Sequence, residues 1–120
     1  MNSQEKSIRP FIGAKNFEIS RKFYRDWGFE ETRINPQLSV FKMGNTAFYL
    51  QNAHVKDWVD NTMLFLEVED LDVYRDHLVH LKLTEKYPTV RLLPIREEAW
   101  GRECFLHDPS GILWHIGVFR

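Results

Sequence analysis

The fold of this chain is decided near its end by the stretch Trp100-Gly101-Arg102-Glu103-Cys104-Phe105-Leu106-His107-Asp108-Pro109-Ser110-Gly111-Ile112-Leu113-Trp114-His115-Ile116-Gly117. Two runs of strand-forming residues flank a polar segment, Asp108-Pro109-Ser110-Gly111, whose residue types are typical of a tight turn. Pro109 presets φ for a turn, and Gly111 can adopt the positive φ that many turns require. The stretch therefore predicts a β-hairpin.

The composition excludes several classes of protein. A length of 120 residues suits one domain with its own hydrophobic core. The net charge is only -1, so no strong field favours nucleic acid or an acidic membrane as a partner. Cys104 is the single cysteine, which excludes an intrachain disulfide framework and suits a reducing cytosol. The polar start shows no signal peptide and no apolar run could span a bilayer, so we expect a cytoplasmic protein.

The first half of the chain predicts a strand, a helix and three further strands. Asn16 is the predicted N-cap of a helix through Trp27, and Gly28 stands where a C-terminal cap glycine belongs. The predicted strands cover residues 8–14, 29–34, 39–43 and 46–51. Gly44-Asn45 marks a tight turn between the last two of these strands.

The second half repeats this order after a polar segment, residues 52–61, that reads as a linker. Asp70 is the predicted N-cap of a helix, in a place equivalent to that of Asn16. The predicted strands cover residues 63–68, 90–96, 103–107 and 112–119. The sequence thus predicts one domain, residues 1–120, built from two βαβββ repeats over about residues 8–51 and 62–119.

Such a duplicated unit predicts an α+β fold with two curved mixed sheets and the helices outside. Neither repeat could bury the face of its sheet alone. The two repeats must therefore pair with each other or with another subunit.

With these motifs in order, the chain resembles the vicinal oxygen chelate superfamily of glyoxalases, extradiol dioxygenases, fosfomycin-modifying enzymes and bleomycin resistance proteins. The resemblance rests on residues 16–24 followed by Gly28-Phe29, on residues 67–72, and on the Asp-Pro-Ser-Gly turn. The chain is most similar to bleomycin resistance proteins, through residues 61–63 and 100–103. This implies a homodimer whose two clefts each form from both subunits, and sequestration of a drug without catalysis.

The enzymes of the superfamily hold a divalent metal with His, Gln and Glu side chains, and the resemblance assigns those positions to Arg9, Tyr49, Met63 and His115. Arg9 is permanently cationic, and the thioether of Met63 suits only soft metals. His115 is the only suitable ligand, and one ligand does not make a metal site. We therefore expect no metal, no other cofactor and no catalytic residue. A metal-dependent glyoxalase-type lyase or dioxygenase is the alternative.

The aromatic content favours a ligand-binding cleft. Aromatic residues make up 14% of the chain, and their large, stiff side chains suit a flat heteroaromatic ligand. The resemblance places Trp100 where it would stack on a planar group. Phe41, Phe48, Tyr49 and Trp114 lie on predicted strands that could face the same cup. For Phe48 and Trp114, an ordinary core position is the alternative.

Polar residues complete the predicted site. Glu97 and Glu98 would supply negative charge at the mouth of the cleft, or would simply be solvated in a loop. Arg9 would offer a fixed positive charge that pairs with Glu67 or binds a ligand carboxylate. His115 would be a hydrogen-bonding wall of the cup.

We therefore predict a homodimeric protein that binds a small planar aromatic molecule, such as a bleomycin-like antibiotic, without catalysis. Bleomycin resistance proteins are strongly acidic, which suits a cationic drug, whereas this chain is nearly neutral. The sequence therefore supports a cleft of the bleomycin-resistance type more firmly than it supports bleomycin as the ligand. A structural dimer whose aromatic residues fill the core is a further alternative.

Overall fold

The structure is a computed structural model that describes residues 3–120. The elements of the first half are β1 (Phe11–Gly13), α1 (Phe17–Trp27), β2 (Glu30–Asn35), β3 (Leu38–Met43) and β4 (Thr46–Gln51). Those that follow are α2 (Lys56–Asn61), β5 (Met63–Glu67), α3 (Leu71–His80), α4 (Leu83–Lys86), β6 (Arg91–Leu92), β7 (Arg96–Glu98), β8 (Gly101–His107) and β9 (Leu113–Phe119). Within the described residues, no helix combines the length and the apolar character needed to cross a membrane.

Each half of the chain forms its own mixed sheet. Sheet A has the strand order β1-β4-β3-β2, and sheet B has the order β5-β9-β8-β6, with β7 also paired to β8. The first strand of each sheet runs parallel to the last strand of the same half, and the other pairs are antiparallel. The two sheets therefore share one topology, and the predicted α+β fold of two mixed sheets with helices is confirmed.

The predicted helix caps and turns are also confirmed. The side chain of Asn16 accepts a hydrogen bond from Ile19 N at 3.1 Å, and that of Asp70 accepts one from Val73 N at 3.1 Å. Gly111 has a φ of 97°, which an L side chain rarely adopts, so the turn between β8 and β9 depends on a glycine there.

Three stretches differ from the prediction. The first strand covers only Phe11–Gly13, because Pro10 has no N–H for the ladder, although its carbonyl accepts a hydrogen bond from Tyr49 N at 2.8 Å. The predicted strand over residues 90–96 is divided into β6 and β7 on either side of Pro94, which also lacks an N–H. The predicted linker contains α2, whose Val59 is buried against Gly13.

Helix α1 joins the two halves through one aromatic core. The ring of Tyr24 lies 4.8 Å from that of Phe48 in sheet A and 5.9 Å from that of Trp114 in sheet B. Trp27, one turn further along the helix, lies 4.9 Å from Trp114. All four side chains are buried, so both sheets turn one face toward α1 and the shared core.

A chain of buried hydrogen bonds runs through the same place. Trp114 Nε1–H donates to Tyr24 Oη at 3.0 Å, and the Tyr24 hydroxyl donates to Asp108 Oδ2 at 2.6 Å. The other oxygen of Asp108 accepts from the backbone amides of Ser110 and Ile112, each at 2.9 Å. Burial raises the pKa of Asp108 to about 6, although the hydrogen bonds from Tyr24 and the backbone lower it. Helix α1 is thus attached directly to the hairpin between β8 and β9.

An ion-pair network attaches α1 to sheet A. The carboxylate of Glu31 accepts hydrogen bonds from Arg21 at 2.6 Å, Arg25 at 2.8 Å and Ser39 at 2.6 Å. Burial alone would raise the pKa of Glu31, but these hydrogen bonds outweigh it and hold the pKa below its ordinary value. The helix is therefore fixed to both sheets by polar contacts as well as by packing.

The Asp108 carboxyl should give the stability of this protein a measurable dependence on pH. Its pKa is about 6 in the folded protein against an ordinary 3.8, so folding takes up a proton between these values. The stabilisation is complete below the lower value and is lost as the pH rises through the upper one. We expect the wild type to lose on the order of 2–3 kcal/mol of unfolding free energy relative to Asp108→Asn across this range.

The measurement is chemical denaturation of both proteins at several pH values, with Asp76→Asn on the exposed surface of α3 as the control for removing a carboxylate. The control should follow the wild type. Parallel stability curves for wild type and Asp108→Asn would contradict the prediction.

Candidate functional site

The face of sheet B that points away from the core is a row of aromatic side chains. In the strand register, Phe65 of β5, His115 of β9 and Phe105 of β8 lie side by side across the sheet. Alternation along β9 places Phe119 on the same face as His115, and Trp100 lies just before β8. We call these residues the open aromatic face: Phe65, Trp100, Phe105, His115 and Phe119.

The exposed rings of the open aromatic face contact one another. The ring of Phe65 lies 5.7 Å from that of Trp100 and is stacked with that of Phe119 at 5.6 Å. Trp100 and Phe119 lie 5.2 Å apart. Phe65, Trp100 and Phe119 are 44%, 37% and 59% exposed, so no other part of residues 3–120 covers them fully. They form a contiguous aromatic surface that is free to contact another molecule.

Gly117 provides the room that this arrangement needs. A Cβ atom at Gly117 would lie 3.0 Å from Phe65 Cζ and 2.8 Å from the carbonyl oxygen of Arg102. It would also lie 3.3 Å from Glu103 Cβ. The absence of a side chain therefore lets the Phe65 ring and the Glu103 side chain lie close over β9.

His115 is held by a buried carboxylate. Its Nδ1 lies 2.7 Å from Oε1 of Glu103, which is only 7% exposed. The imidazole packs edge-on against Phe105 at 4.8 Å and lies nearly parallel to the Phe65 ring at 6.2 Å. The His115 imidazole therefore has a fixed position between Phe65 and Phe105, and its Nδ1 is held by Glu103.

Charged groups of both signs border the open aromatic face. The guanidinium of Arg96 lies 5.4 Å from the centre of the Phe105 ring and pairs with Glu98 at 3.4 Å. Glu97, the next residue along β7, instead pairs with Arg102 at 3.1 Å and with Arg120 at 3.2 Å. Alternation along the strand thus separates the two glutamates, and only Glu98 is on the side of the aromatic row.

Three residues that the sequence suggested as walls of the cleft lie in the hydrophobic core instead. Phe41, Phe48 and Trp114 are buried around Tyr24, on the sheet faces that point toward α1. For Phe41 this corrects the expectation of a cleft wall. Phe48 and Trp114 occupy the core positions named as their alternative, and reach only a crevice of about 240 Å³ between the sheets. The physical reason is that helix α1 needs an apolar surface on each sheet.

Tyr49 and Arg9 belong to the other sheet. Tyr49 stacks on Phe11 at 4.6 Å on the face of sheet A that points away from α1, and Phe11 is 55% exposed. Arg9 precedes β1, and its Nε donates to Ser7 Oγ at 3.1 Å rather than to the suggested Glu67. The open face of sheet A is therefore also partly aromatic, but it is separate from that of sheet B.

The sequence reasoning missed Phe65, Phe105, Phe119 and Glu103. Two signals identify them. Residues two or four apart on one strand share a face, which relates Phe119 to His115 and Glu103 to Phe105. Register partners on neighbouring strands also share a face, which relates Phe65 and Phe105 to His115. Counting outward from His115 along β9 reaches Phe119, and crossing to its partners on β5 and β8 reaches Phe65 and Phe105.

The metal site of the superfamily does not fit these residues. The positions that the resemblance assigns to the metal carry Arg9, Tyr49, Met63 and His115, of which only the imidazole is a good ligand for a hard or borderline metal. Nδ1 of that imidazole already bonds to Glu103. Among residues 3–120, no three His, Cys, Asp or Glu side chains lie close enough together to hold a metal ion.

Solved structures with this fold include both drug-binding proteins and enzymes. A bleomycin-binding protein from Streptomyces verticillus, complexed with copper(II)-bleomycin, is 19% identical, with a TM-score of 0.81 over 99% of this chain and 100% of that one. The bleomycin resistance determinant encoded on the transposon Tn5 is 16% identical, with a TM-score of 0.76 over 97% of this chain and 99% of that one. Lactoylglutathione lyase from Agrobacterium tumefaciens is 18% identical, with a TM-score of 0.69 over 97% and 96%.

These likenesses extend over nearly the whole length of both chains, and they establish the fold of the bleomycin resistance and glyoxalase proteins. The predicted resemblance to the vicinal oxygen chelate superfamily is confirmed at the level of the fold. No protein-family model matches the sequence, and no curated protein matches it significantly. The function must therefore be inferred from the chain's own residues.

Proposed function

We propose that this protein binds a small planar aromatic molecule on the open aromatic face and sequesters it without catalysis. The observation that carries the proposal is the contiguous surface of Phe65, Trp100 and Phe119, which is partly exposed and linked by ring contacts of 5.2 to 5.7 Å. Aromatic rings offer a flat ligand a large contact area at a small cost in conformational entropy. An exposed apolar surface of this kind is typical of an interaction site.

The similar structures support the same class of ligand. The Streptomyces verticillus protein was crystallised with copper(II)-bleomycin, and a second bleomycin-binding protein of this fold was crystallised with bleomycin. Here the border of the aromatic face carries both Arg96 and Glu98, and the net charge of the chain is -1. This balance favours a ligand that is recognised chiefly by stacking, and bleomycin-like antibiotics are the first probes to test.

A second copy of the chain would complete the cleft. The outer faces of both sheets carry exposed apolar side chains, including Phe11 on sheet A and Met63, Phe65 and Phe119 on sheet B. In a two-fold dimer, the outer face of sheet A in one subunit can stand opposite that of sheet B in the other, and the arrangement occurs twice. We propose that each such pair of faces encloses one ligand.

Removing the Trp100 ring should weaken binding. We expect Trp100→Ala to raise the Kd for the bound antibiotic about fivefold or more, because an aromatic stacking contact is worth about 1 kcal/mol. The probe is chosen from bleomycins and other planar antibiotics as the one that raises the Tm most, and its affinity is then measured by calorimetric titration.

Trp100→Phe, which keeps a ring, should retain most of the affinity. Val79→Ala, on the exposed surface of α3, should retain all of it. An unchanged Kd for Trp100→Ala would contradict the proposed site, and a flat Tm with every probe would contradict the proposed function.

The outer face of sheet A should be needed for dimerisation. Sedimentation equilibrium of the wild type should give twice the 14.4 kDa mass of the chain. We expect Phe11→Glu to weaken the dimer about tenfold or more, because it would bury an unpaired charge in the interface. Val73→Glu, at an exposed position of α3, is the matched control and should remain dimeric. A monomeric wild type, or an unaffected Phe11→Glu dimer, would contradict this arrangement.

A further inference from the structure

We infer that neutral His115 is a fixed hydrogen-bond acceptor, so that the site selects planar ligands that carry an N–H or O–H donor. The inference rests on the proposed function, because it names the class of ligand that the open aromatic face accepts. It depends on which nitrogen of the imidazole carries the proton, and the structure determines this through Glu103.

The carboxylate of Glu103 can only accept a hydrogen bond, since it has no proton to donate when ionised. Nδ1 of His115 lies 2.7 Å from its Oε1, so Nδ1 must be the protonated nitrogen. In a neutral imidazole the other nitrogen, Nε2, then carries a lone pair and can only accept. The structure gives His115 no other hydrogen-bond partner among residues 3–120, which leaves this acceptor for a ligand.

Glu103 is held firmly enough to impose this choice. Glu103 is buried, and it is the register partner of Arg96 in β7 on one side and of Gly117 in β9 on the other. Its Cβ lies 3.3 Å from where a Cβ of Gly117 would be, so the glycine lets the Glu103 side chain pack closely against β9. Gly117 thus gives room to both the Phe65 ring and the Glu103 side chain.

The aromatic neighbours of His115 explain how its acceptor nitrogen would discriminate between ligands. Phe105 packs edge-on against the imidazole and the Phe65 ring lies nearly parallel to it, so a stacked ligand would shield Nε2 from water. An acceptor that is desolvated without a partner costs more free energy than a made hydrogen bond contributes. A site with such a group therefore discriminates against an analogue that lacks the donor.

The first test needs no ligand. In protein labelled with ¹⁵N at histidine, two-bond proton–nitrogen correlations report which nitrogen of His115 is protonated. We expect the Nδ1–H tautomer in the wild type, and the Nε2–H tautomer in Glu103→Leu, where the anchor is removed and the volume is nearly kept. A wild type in the Nε2–H form would overturn the inference, whatever the protein binds.

The second test uses β-carboline and its 9-methyl derivative, in which a methyl group replaces the N–H donor, at an alkaline pH where both probes are neutral. We expect the wild type to bind β-carboline about fivefold more tightly, because one net hydrogen bond is at stake. His115→Phe keeps the aromatic wall without the acceptor, so it should bind both probes as the wild type binds the methylated one.

The outcomes separate the two proposals. Equal affinities of the wild type for both probes would overturn the donor selection while leaving the stacking site in place. Failure of both probes to bind, with no shift in Tm for any planar antibiotic, would overturn the proposed function and the donor selection with it. A fivefold preference that persists in His115→Phe would show that the donor is recognised elsewhere, and would also overturn the inference.

Discussion

The buried hydrogen bonds from Trp114 to Tyr24 and from Tyr24 to Asp108 are the contacts on which the rest of the structure depends. They join helix α1, from the first half of the chain, to the hairpin between β8 and β9, from the second half. Because each of these polar groups is fully buried, any other placement of α1 would leave at least one of them unpaired in the core. The same contacts hold the Trp114 face of sheet B toward α1, and therefore leave its His115 face free.

This division of faces separates the aromatic residues into two sets with different roles. Phe41, Phe48 and Trp114 cover α1 and contribute to stability, whereas Phe65, Trp100 and Phe119 remain exposed. Alternation along a strand is enough to produce the separation, since Trp114 and His115 are neighbours in sequence but lie on opposite faces of sheet B. The proposed function follows from this geometry, because the free face of sheet B is aromatic and its one imidazole is anchored by Glu103.

The parts of the fold that depend on local chemistry could be predicted from the sequence. The caps at Asn16 and Asp70 and the turn glycine Gly111 act within a few residues, so their residue types are informative alone. The candidate site was harder to predict, because the aromatic content does not say which rings α1 will cover. His115 and Trp100 were found through resemblance, whereas Phe65 and Glu103 became visible only once the pairing of β5, β8 and β9 was known. Register is a property of the whole sheet, and a single strand does not reveal it.

The central claim is that the outer face of sheet B receives the ligand. It is tested most directly by nuclear magnetic resonance, as the chemical-shift changes of backbone amides and aromatic side chains during titration with the antibiotic that raises the Tm most. The account predicts the largest changes at Phe65, Trp100, His115 and Phe119, with little change on the exposed surfaces of α3 and α4. Changes centred on α3 or α4, with the four aromatic side chains unaffected, would contradict it.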